Sequence, residues 1–363
     1  MNPRLHTSLC DLVGVRYPIV QTGMGWVAGA RLTAATANAG GLGILAALRL
    51  QPEDLRTQIQ QIRALTDRPF GVNLWLHPGV TQPIPPASID PAALASTQRR
   101  LNDIRAHLHI PPSNAMPSPF PALVERNFEV ILDERVPVFS VGLGDPGHDM
   151  VASCHDRGIA VMVMVTNVRD ARTVAASGAD VVVAQGTEAG GHRSNWIAGA
   201  EEAGTFVIVP RIVGAIDRPV VAAGGIVDGR GLVAALALGA AGVMLGTRFI
   251  ATRESIAPEF FKKAVIGAGA GDTVVSAAFT GLPMRTLGNA FTSEYGDAPV
   301  LPPMLQSNVA EDIFRAAGQR GDAGYFPMPA GESAGLVSDL PSAASVVETI
   351  AAEAARIAAS LRD

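Results

Sequence analysis

Short apolar segments alternate with helical segments along most of this chain, and this alternation constrains the fold more than any other feature. Parallel strands joined by helices give such a pattern, because each crossover returns the chain to the same edge of the sheet. The count and order of the units predict a (β/α)8 barrel, with a doubly wound sheet as the alternative. The predicted strands are residues 18–21, 42–46, 70–75, 136–141, 160–165, 180–184, 220–223 and 242–245.

A proline-rich segment, residues 76–127, interrupts the alternation after the third strand and contains one helical stretch, residues 92–107. Barrel active sites lie at the carboxyl ends of the strands, so an insertion at this point lies beside the expected site. Its prolines favour a semi-rigid lid or wall rather than a disordered linker. Residues 254–363 are predicted to form a C-terminal extension packed on the barrel, with residues 1–363 making one domain.

The composition excludes several classes of protein. Of the 363 residues, 48% are hydrophobic and 17% are charged, which predicts a large buried core. A net charge of −5 gives no electrostatic footprint for nucleic acid or for an anionic membrane. The charge-free run 231–247 is interrupted by glycines and switches from helix to strand, so we interpret it as a buried βα unit. We expect a soluble, cytoplasmic protein, with a homodimer left open as its assembly.

Two turns of small residues end the last two predicted strands. Gly224-Gly225 ends the seventh strand, and Gly246-Thr247 ends the eighth. Without a Cβ, backbone N–H groups can approach an anion closely. The loops after strands seven and eight of a barrel commonly bind phosphate, so the two turns predict a phosphate cradle. The alternative is that the glycines only make tight turns.

The sixth strand is followed by the motif AQGTEAGGHR, residues 184–193, which places His192 at the predicted mouth of the barrel. A histidine there could serve as a general base, because imidazole titrates near neutrality. The alternative is a loop histidine without a role. His77 and His148 also follow barrel strands and could line a pocket. Neither the histidines nor the two cysteines have the spacing of metal ligands, so no metal is expected.

These motifs carry a resemblance to a known family. AQGTEAGGHR, PVVAAGGI and GVMLGTRF together resemble the nitronate monooxygenases, formerly 2-nitropropane dioxygenases, which are FMN enzymes on a TIM barrel. The likeness covers nearly the whole chain and continues in NAGGLGIL, FGVNL, VFSVGLGDP, TGLPMRTLGN and AGESAGL. The same superfamily includes enoyl-carrier-protein reductases, NADH:quinone reductases and a CoA-ester dehydrogenase of steroid-ring degradation. The opening segment QTGMGWVAGARL is particularly similar to that dehydrogenase.

The resemblance implies roles for particular residues. His192 falls on the family's catalytic histidine. Met164 and Gln185 depart from the lysine and the aspartate that some members place there, and both changes remove charge beside the cofactor. The implied FMN contacts are Gly224, Gly225, Gly246 and Thr247 at the phosphate, Met24 and Asn73 beside the isoalloxazine ring, and Gln185, Gly190 and Gly191 completing the cradle.

The implied reaction is the oxidation of alkyl nitronates, and of neutral nitroalkanes, with O2 to a carbonyl compound and nitrite. His192 could stabilise the anion as an imidazolium or remove the α-proton of a neutral nitroalkane as an imidazole. This cycle needs no nicotinamide. One alternative is an NAD(P)H-dependent reductase or a dehydrogenase of an acyl-CoA or enoyl thioester. Another is a non-catalytic sensor of a phosphate-bearing ligand, since the fold alone does not settle function.

Overall fold

Eight parallel strands close into a barrel in the computed structural model, which describes residues 5–196, 199, 201–269 and 271–361. The first strand pairs with the last, with Ile19 opposite Val243, so the sheet has no free edge. This closure confirms the predicted (β/α)8 barrel and excludes the doubly wound alternative. The barrel strands are β1 (Ile19–Gln21), β2 (Leu42–Ala46), β3 (Phe70–Trp75), β4 (Val138–Gly142), β5 (Ala160–Val165), β6 (Val181–Gln185), β8 (Val220–Ala223) and β9 (Gly242–Leu245).

A second, three-stranded sheet lies outside the barrel. It consists of β7 (Gly191–His192), β10 (Thr273–Ser276) and β11 (Met284–Leu287), with β11 in the middle. Both pairings are antiparallel, and β7 belongs to the loop that follows β6. The C-terminal extension therefore contributes two strands that reach the carboxyl end of the barrel.

Three predicted strands, the first, the fourth and the sixth, have boundaries that are wrong by one or two residues. The fourth strand begins at Val138, after Pro137, because proline has no N–H group to donate to the ladder. The sixth strand runs one residue further than predicted, to Gln185, whose backbone pairs with Ala223 of β8. This extension places the Gln185 side chain at the rim of the barrel.

Helices fill the connections between barrel strands and build the extensions. The helix after β8 begins at Gly229, because the Asp228 side chain accepts from the N–H groups of Arg230 and Gly231 and so caps it. No helix within the described part of the chain is both long and apolar enough to cross a membrane. The helices are α1 (Ser8–Val13), α2 (Ala30–Asn38), α3 (Pro52–Leu65), α4 (Pro78–Thr81), α5 (Pro91–His107), α6 (Val124–Asp133), α7 (Gly147–His155), α8 (Val168–Ala176), α9 (Thr205–Val213), α10 (Gly229–Ala237), α11 (Thr247–Ile250), α12 (Glu259–Ile266), α13 (Ala290–Tyr295), α14 (Leu305–Val309), α15 (Glu311–Arg320) and α16 (Ala343–Ser360), with 3-10 turns at Pro86–Ser88 and Glu332–Leu336.

The interior of the barrel is filled by β-branched and aliphatic side chains, and its amino end is covered by α1. Leu9 of α1 is fully buried against Gly242, and the Thr7 hydroxyl donates to the carbonyl of Ala241. The amino end is thus closed by packing. Loops with polar and aromatic residues gather at the opposite end.

The insertion and the C-terminal extension share a hydrophobic core that is separate from the barrel. Leu101 and Ile104 of α5 pack in one cluster with Phe279, Phe291 and other residues of the extension. Arg105 of α5 is 1% exposed, and its Nε donates to Asp312 Oδ2 at 2.8 Å. Its Nη2 donates to the other oxygen of Asp312 at 3.0 Å and to the Val309 carbonyl at 2.8 Å. The two segments therefore form one layer beside the mouth of the barrel.

Removing the Arg105 side chain should loosen this layer. We expect Arg105→Ala to lower the free energy of unfolding by about 2–3 kcal/mol, because the buried Val309 carbonyl loses its donor and Asp312 its charged partner. Arg99, which is exposed on the same helix, provides the matched control, and Arg99→Ala should change stability by less than about 0.5 kcal/mol. Denaturant unfolding of the three proteins measures the difference. Equal midpoints would show that the ion pair does not hold the layer together.

Candidate active site

The loop after β6 is held at its base by the side chain of Gln185. This residue is 4% exposed, and its Nε2 donates to the His192 carbonyl at 2.9 Å. Its Oε1 accepts from the N–H of Ser194 at 2.8 Å. Backbone N–H and C=O groups beyond the end of a strand have no partner in the sheet and need another one. Here a single side-chain amide satisfies both the His192 carbonyl and the Ser194 N–H. The Gln185 amide is therefore committed to its own loop.

Ser194 ties the same loop to two further strands. Its hydroxyl donates to the Met164 carbonyl in β5 at 2.8 Å and accepts from the N–H of Leu143, just after β4, at 2.8 Å. Ser194 is 2% exposed. No motif in the sequence pointed to this residue, although it follows His192 by only two positions. Together Gln185 and Ser194 fix the histidine loop to the ends of β4, β5 and β6.

Two arginines, also missed from the sequence, support the outer part of the loop. Arg193 is 4% exposed and donates to the carbonyls of Gly186 at 3.3 Å and Thr187. Arg285 of β11 donates through Nε to the Thr187 carbonyl at 3.0 Å. Burial lowers the pKa of Arg193, while nearby acidic residues, Glu202 foremost, oppose the shift. The loop is thus supported both by its own Arg193 and by Arg285 of the C-terminal extension.

His192 is enclosed at the mouth of the barrel. In β7 it lies opposite Met284 of β11, and its Nε2 is 2.8 Å from the Thr280 hydroxyl. The Trp75 ring meets the imidazole edge to face, with ring centroids 4.6 Å apart. Burial, together with a smaller effect of the neighbouring His77, lowers the pKa of His192 to about 3. At neutral pH the imidazole of the free protein is therefore uncharged.

The other two histidines singled out by the sequence occupy different positions. His77 caps α4, with its Nδ1 accepting from the N–H of Gly79 at 3.0 Å, and burial lowers its pKa. It lies close enough to His192 to act on it electrostatically. His148 is exposed on α7. Within the described ranges, no three His, Cys, Asp or Glu side chains are grouped as ligands of a metal ion.

The two glycine turns offer backbone donors. Gly224 and Gly225 have φ angles of +110° and +71°, in the left-handed region that favours glycine. A Cβ at Gly224 would lie 3.0 Å from the Thr205 hydroxyl and 3.1 Å from the Ala189 nitrogen. The N–H groups of Gly224, Gly225, Gly246 and Thr247 donate to no acceptor in the described part of the chain. Two adjacent turns with unpaired N–H groups fit the phosphate of a bound cofactor.

The C-terminal segment AGESAGL covers one side of these turns. Gly331 donates its N–H to the buried Thr247 hydroxyl at 2.9 Å, and Glu332 donates its N–H to the Glu188 carbonyl at 3.0 Å. A Cβ at Gly190 would lie 2.4 Å from the Gly331 nitrogen. The β6 loop and the C-terminal segment can therefore approach this closely only because residue 190 is glycine. This close contact explains in structural terms why residue 190 is glycine, which the sequence did not reveal. Gly191, with φ +76°, has nothing within 4 Å of a Cβ position.

Met24 and Asn73 lie on the β1 and β3 side of the mouth. A Cβ at Gly246 would lie 3.5 Å from Met24 Sδ, so the methionine borders the second glycine turn. Asn73 is 9% exposed, and its Nδ2 donates to the carbonyl and hydroxyl oxygens of Ser140 at 3.1 and 3.2 Å. The position of a Gly23 Cβ is only 2.6 Å from Asn73 Cβ, so the loop after β1 contacts β3 closely here.

Comparisons with known proteins agree with this geometry. A nitronate monooxygenase of Paraburkholderia phytofirmans is 35% identical over 352 residues, covering 94% of this chain and 93% of that protein. A 5-hydroxy-7a-methyl-1-oxo-octahydroindene-4-carboxyl-CoA dehydrogenase of Rhodococcus jostii is 40% identical over 283 residues, covering 78% of this chain and 66% of that protein, just under two thirds. The crystal structure of a nitroalkane oxidase from Streptomyces ansochromogenes superposes with a TM-score of 0.88 at 35% identity, covering 97% of this chain and 99% of that one.

The model of the nitronate monooxygenase family matches residues 6–353, nearly the whole chain. This match confirms the resemblance that the sequence motifs carried. The chain belongs to the nitronate monooxygenase family and is a flavin-dependent oxidoreductase.

Proposed function

We propose that this protein is an FMN-dependent nitronate monooxygenase that converts alkyl nitronates and O2 to carbonyl compounds and nitrite. The observation that carries this proposal is an uncharged His192, 2.8 Å from Thr280, at the same barrel mouth as two turns of unpaired N–H groups. The family and the nitronate monooxygenase and nitroalkane oxidase relatives support the same reaction class.

The glycine turns would hold the FMN phosphate. The four N–H groups of Gly224, Gly225, Gly246 and Thr247 supply donors for a dianion, and the missing side chains at the glycines leave room for it. Met24 borders the Gly246 turn and Asn73 lies beside the same loop after β1, so these two residues would contact the ring system. When bound, the flavin supplies the electron acceptor that the oxidation requires.

His192 would act as the general base on a neutral nitroalkane. The Thr280 hydroxyl is 2.8 Å from Nε2 and can also donate to the Leu282 carbonyl at 3.3 Å. If its single proton goes to Leu282, Nε2 carries the imidazole proton, and Nδ1 keeps the lone pair that accepts the α-proton. The low pKa opposes the imidazolium role that the sequence also allowed, because enclosure disfavours the cation.

A dehydrogenase of a CoA thioester is the second candidate. The 40% identical relative from Rhodococcus jostii bears that activity in its name. A neutral His192 could equally remove the α-proton of a thioester, since that step also needs a base beside an electron acceptor. If this candidate is right, an acyl-CoA thioester added in the absence of O2 should bleach the flavin absorbance. If the enzyme is specific for nitronates, the thioester should leave the flavin absorbance unchanged.

Flavin retention tests the phosphate site. We expect Gly225→Ala to lose most of its FMN, because the added methyl group and the shifted backbone disturb the N–H donors. Gly158→Ala is the matched control, since Gly158 has nearly the same φ, +70° against +71°, but lies in the turn before β5 at the far end of the barrel. The ratio of flavin absorbance to protein measures retention. Full flavin retention in Gly225→Ala would place the phosphate elsewhere, and a loss no greater than in Gly158→Ala would contradict a specific role of this turn.

The lowered pKa of His192 predicts a pH dependence of stability. Its folded pKa, about 3, is below the unfolded value near 6.5, so between these values the unfolded chain binds the extra proton. Stability from this residue is therefore complete above about pH 6.5 and is lost as the pH falls. Between pH 7 and pH 5 the loss in wild type should exceed that in His192→Asn by about 1–2 kcal/mol. Urea unfolding at the two pH values measures it, and parallel losses would contradict the pKa.

Kinetics with two forms of one substrate test the base. His192→Asn should lower turnover of a neutral nitroalkane by about 10²-fold or more, the size of a general-base contribution. The pre-formed nitronate should be affected much less, because its proton is already gone. His148→Asn, at an exposed position on α7, serves as the control and should leave both rates unchanged. Equal losses on the two substrates would remove proton abstraction from the role of His192.

A further inference from the structure

An exposed tryptophan stands at the rim of the proposed site. Trp26, in the loop after β1, is 51% exposed and has a φ of +60°. A bulky residue seldom occupies this left-handed region, and such strain is concentrated at functional sites. The turn is fixed because the N–H groups of Val27 and Ala28 both donate to the Met24 carbonyl, at 3.2 and 2.9 Å. The indole, with the tilted Phe326 ring 6.2 Å away between centroids, is therefore held in a strained, half-exposed position two residues from Met24.

An arginine lies beside this ring. Arg49, in the loop after β2, has its guanidinium carbon 5.9 Å from the Trp26 ring centroid and 5.2 Å from that of Phe120 in the insertion. Its Nη2 donates to the Ser307 hydroxyl at 3.2 Å. Glu311 acts on Arg49 through space, but no carboxylate of the described residues lies within 4.0 Å of its nitrogen atoms. Arg49 therefore keeps donors that can bind an anion.

The loop carrying Arg49 is rigidly supported from below. Asn127 of α6 is fully buried, and its Nδ2 donates to the carbonyls of Ala47 at 3.2 Å and Leu50 at 2.9 Å. These two carbonyls flank Arg49 in the chain. A positioned guanidinium loses less side-chain entropy on binding a ligand than a mobile one.

We propose that Trp26 and Arg49 form a subsite for an adenosine phosphate, with the purine stacked on the indole and a phosphate bound by the guanidinium. Every base presents a flat face to an aromatic platform, and arginine matches the geometry of phosphate oxygens. The subsite does not depend on the reaction proposed above and implies that the site accepts a nucleotide-bearing ligand. CoA thioesters and nicotinamide dinucleotides share this chemistry, so both are sources to be distinguished.

Binding of nucleotide fragments to the flavin-loaded protein tests the subsite. Calorimetry with adenosine 3′,5′-bisphosphate represents CoA, and with adenosine 2′,5′-bisphosphate it represents NADPH. We expect one of them to bind, with at least tenfold weaker binding to Arg49→Gln and to Trp26→Asn. Trp26→Phe should retain most of the affinity, because it keeps a stacking face. Added salt should weaken binding to wild type.

Arg16→Gln is the matched control. Arg16 is also exposed and also stacks on an aromatic ring, with 4.9 Å to the Tyr17 centroid, but it precedes β1 at the amino end of the barrel. The Arg16→Gln variant should bind the nucleotide as wild type does, and all variants should keep their flavin. Failure of both bisphosphates to bind wild type, or equal binding to all variants, would overturn the subsite. Nitrite formation from a nitronate, measured in parallel, tests the proposed reaction separately, because a small nitronate lacks the adenosine group.

Discussion

The side-chain amide of Gln185 is the interaction on which the rest of the site depends. It accepts from the buried N–H of Ser194 at 2.8 Å and donates to the part-buried His192 carbonyl at 2.9 Å. A buried hydrogen bond contributes about 1 kcal/mol, but leaving either partner unsatisfied would cost about 1–3 kcal/mol. Loop positions other than the observed one are therefore disfavoured. With the loop fixed, the imidazole is held against Trp75 and Thr280, and its enclosure keeps it uncharged.

The mouth of the barrel is completed by chain segments from outside the barrel. The C-terminal extension supplies Thr280 to His192, Arg285 to the loop carbonyls and Gly331 to the Thr247 hydroxyl. The insertion supplies Phe120 beside Arg49. The insertion and the extension share a hydrophobic core and the Arg105 ion pair, so the two segments form one layer.

The parts of the structure that could be predicted from sequence are those with local signals. Runs of buried apolar residues marked the eight strands, and the paired glycines marked the turns where φ is positive. The contact between His192 and Thr280 spans 88 residues, and that between Arg105 and Asp312 spans 207. Neither has a local pattern, because contacts of this kind are set by how the elements pack. The structural use of Gln185 was missed for a different reason, because its partners, although only seven and nine residues along the chain, are backbone groups that have no sequence signal.

Anaerobic spectroscopy of the flavin-loaded protein tests the proposed function most directly. A pre-formed alkyl nitronate, an acyl-CoA thioester and NADH are each mixed with it in the absence of O2, and the flavin absorbance is followed. We expect only the nitronate to reduce the flavin, and admission of O2 to restore the oxidised spectrum with release of nitrite. Reduction by the thioester or by NADH, with no response to the nitronate and no nitrite in air, would contradict the assignment.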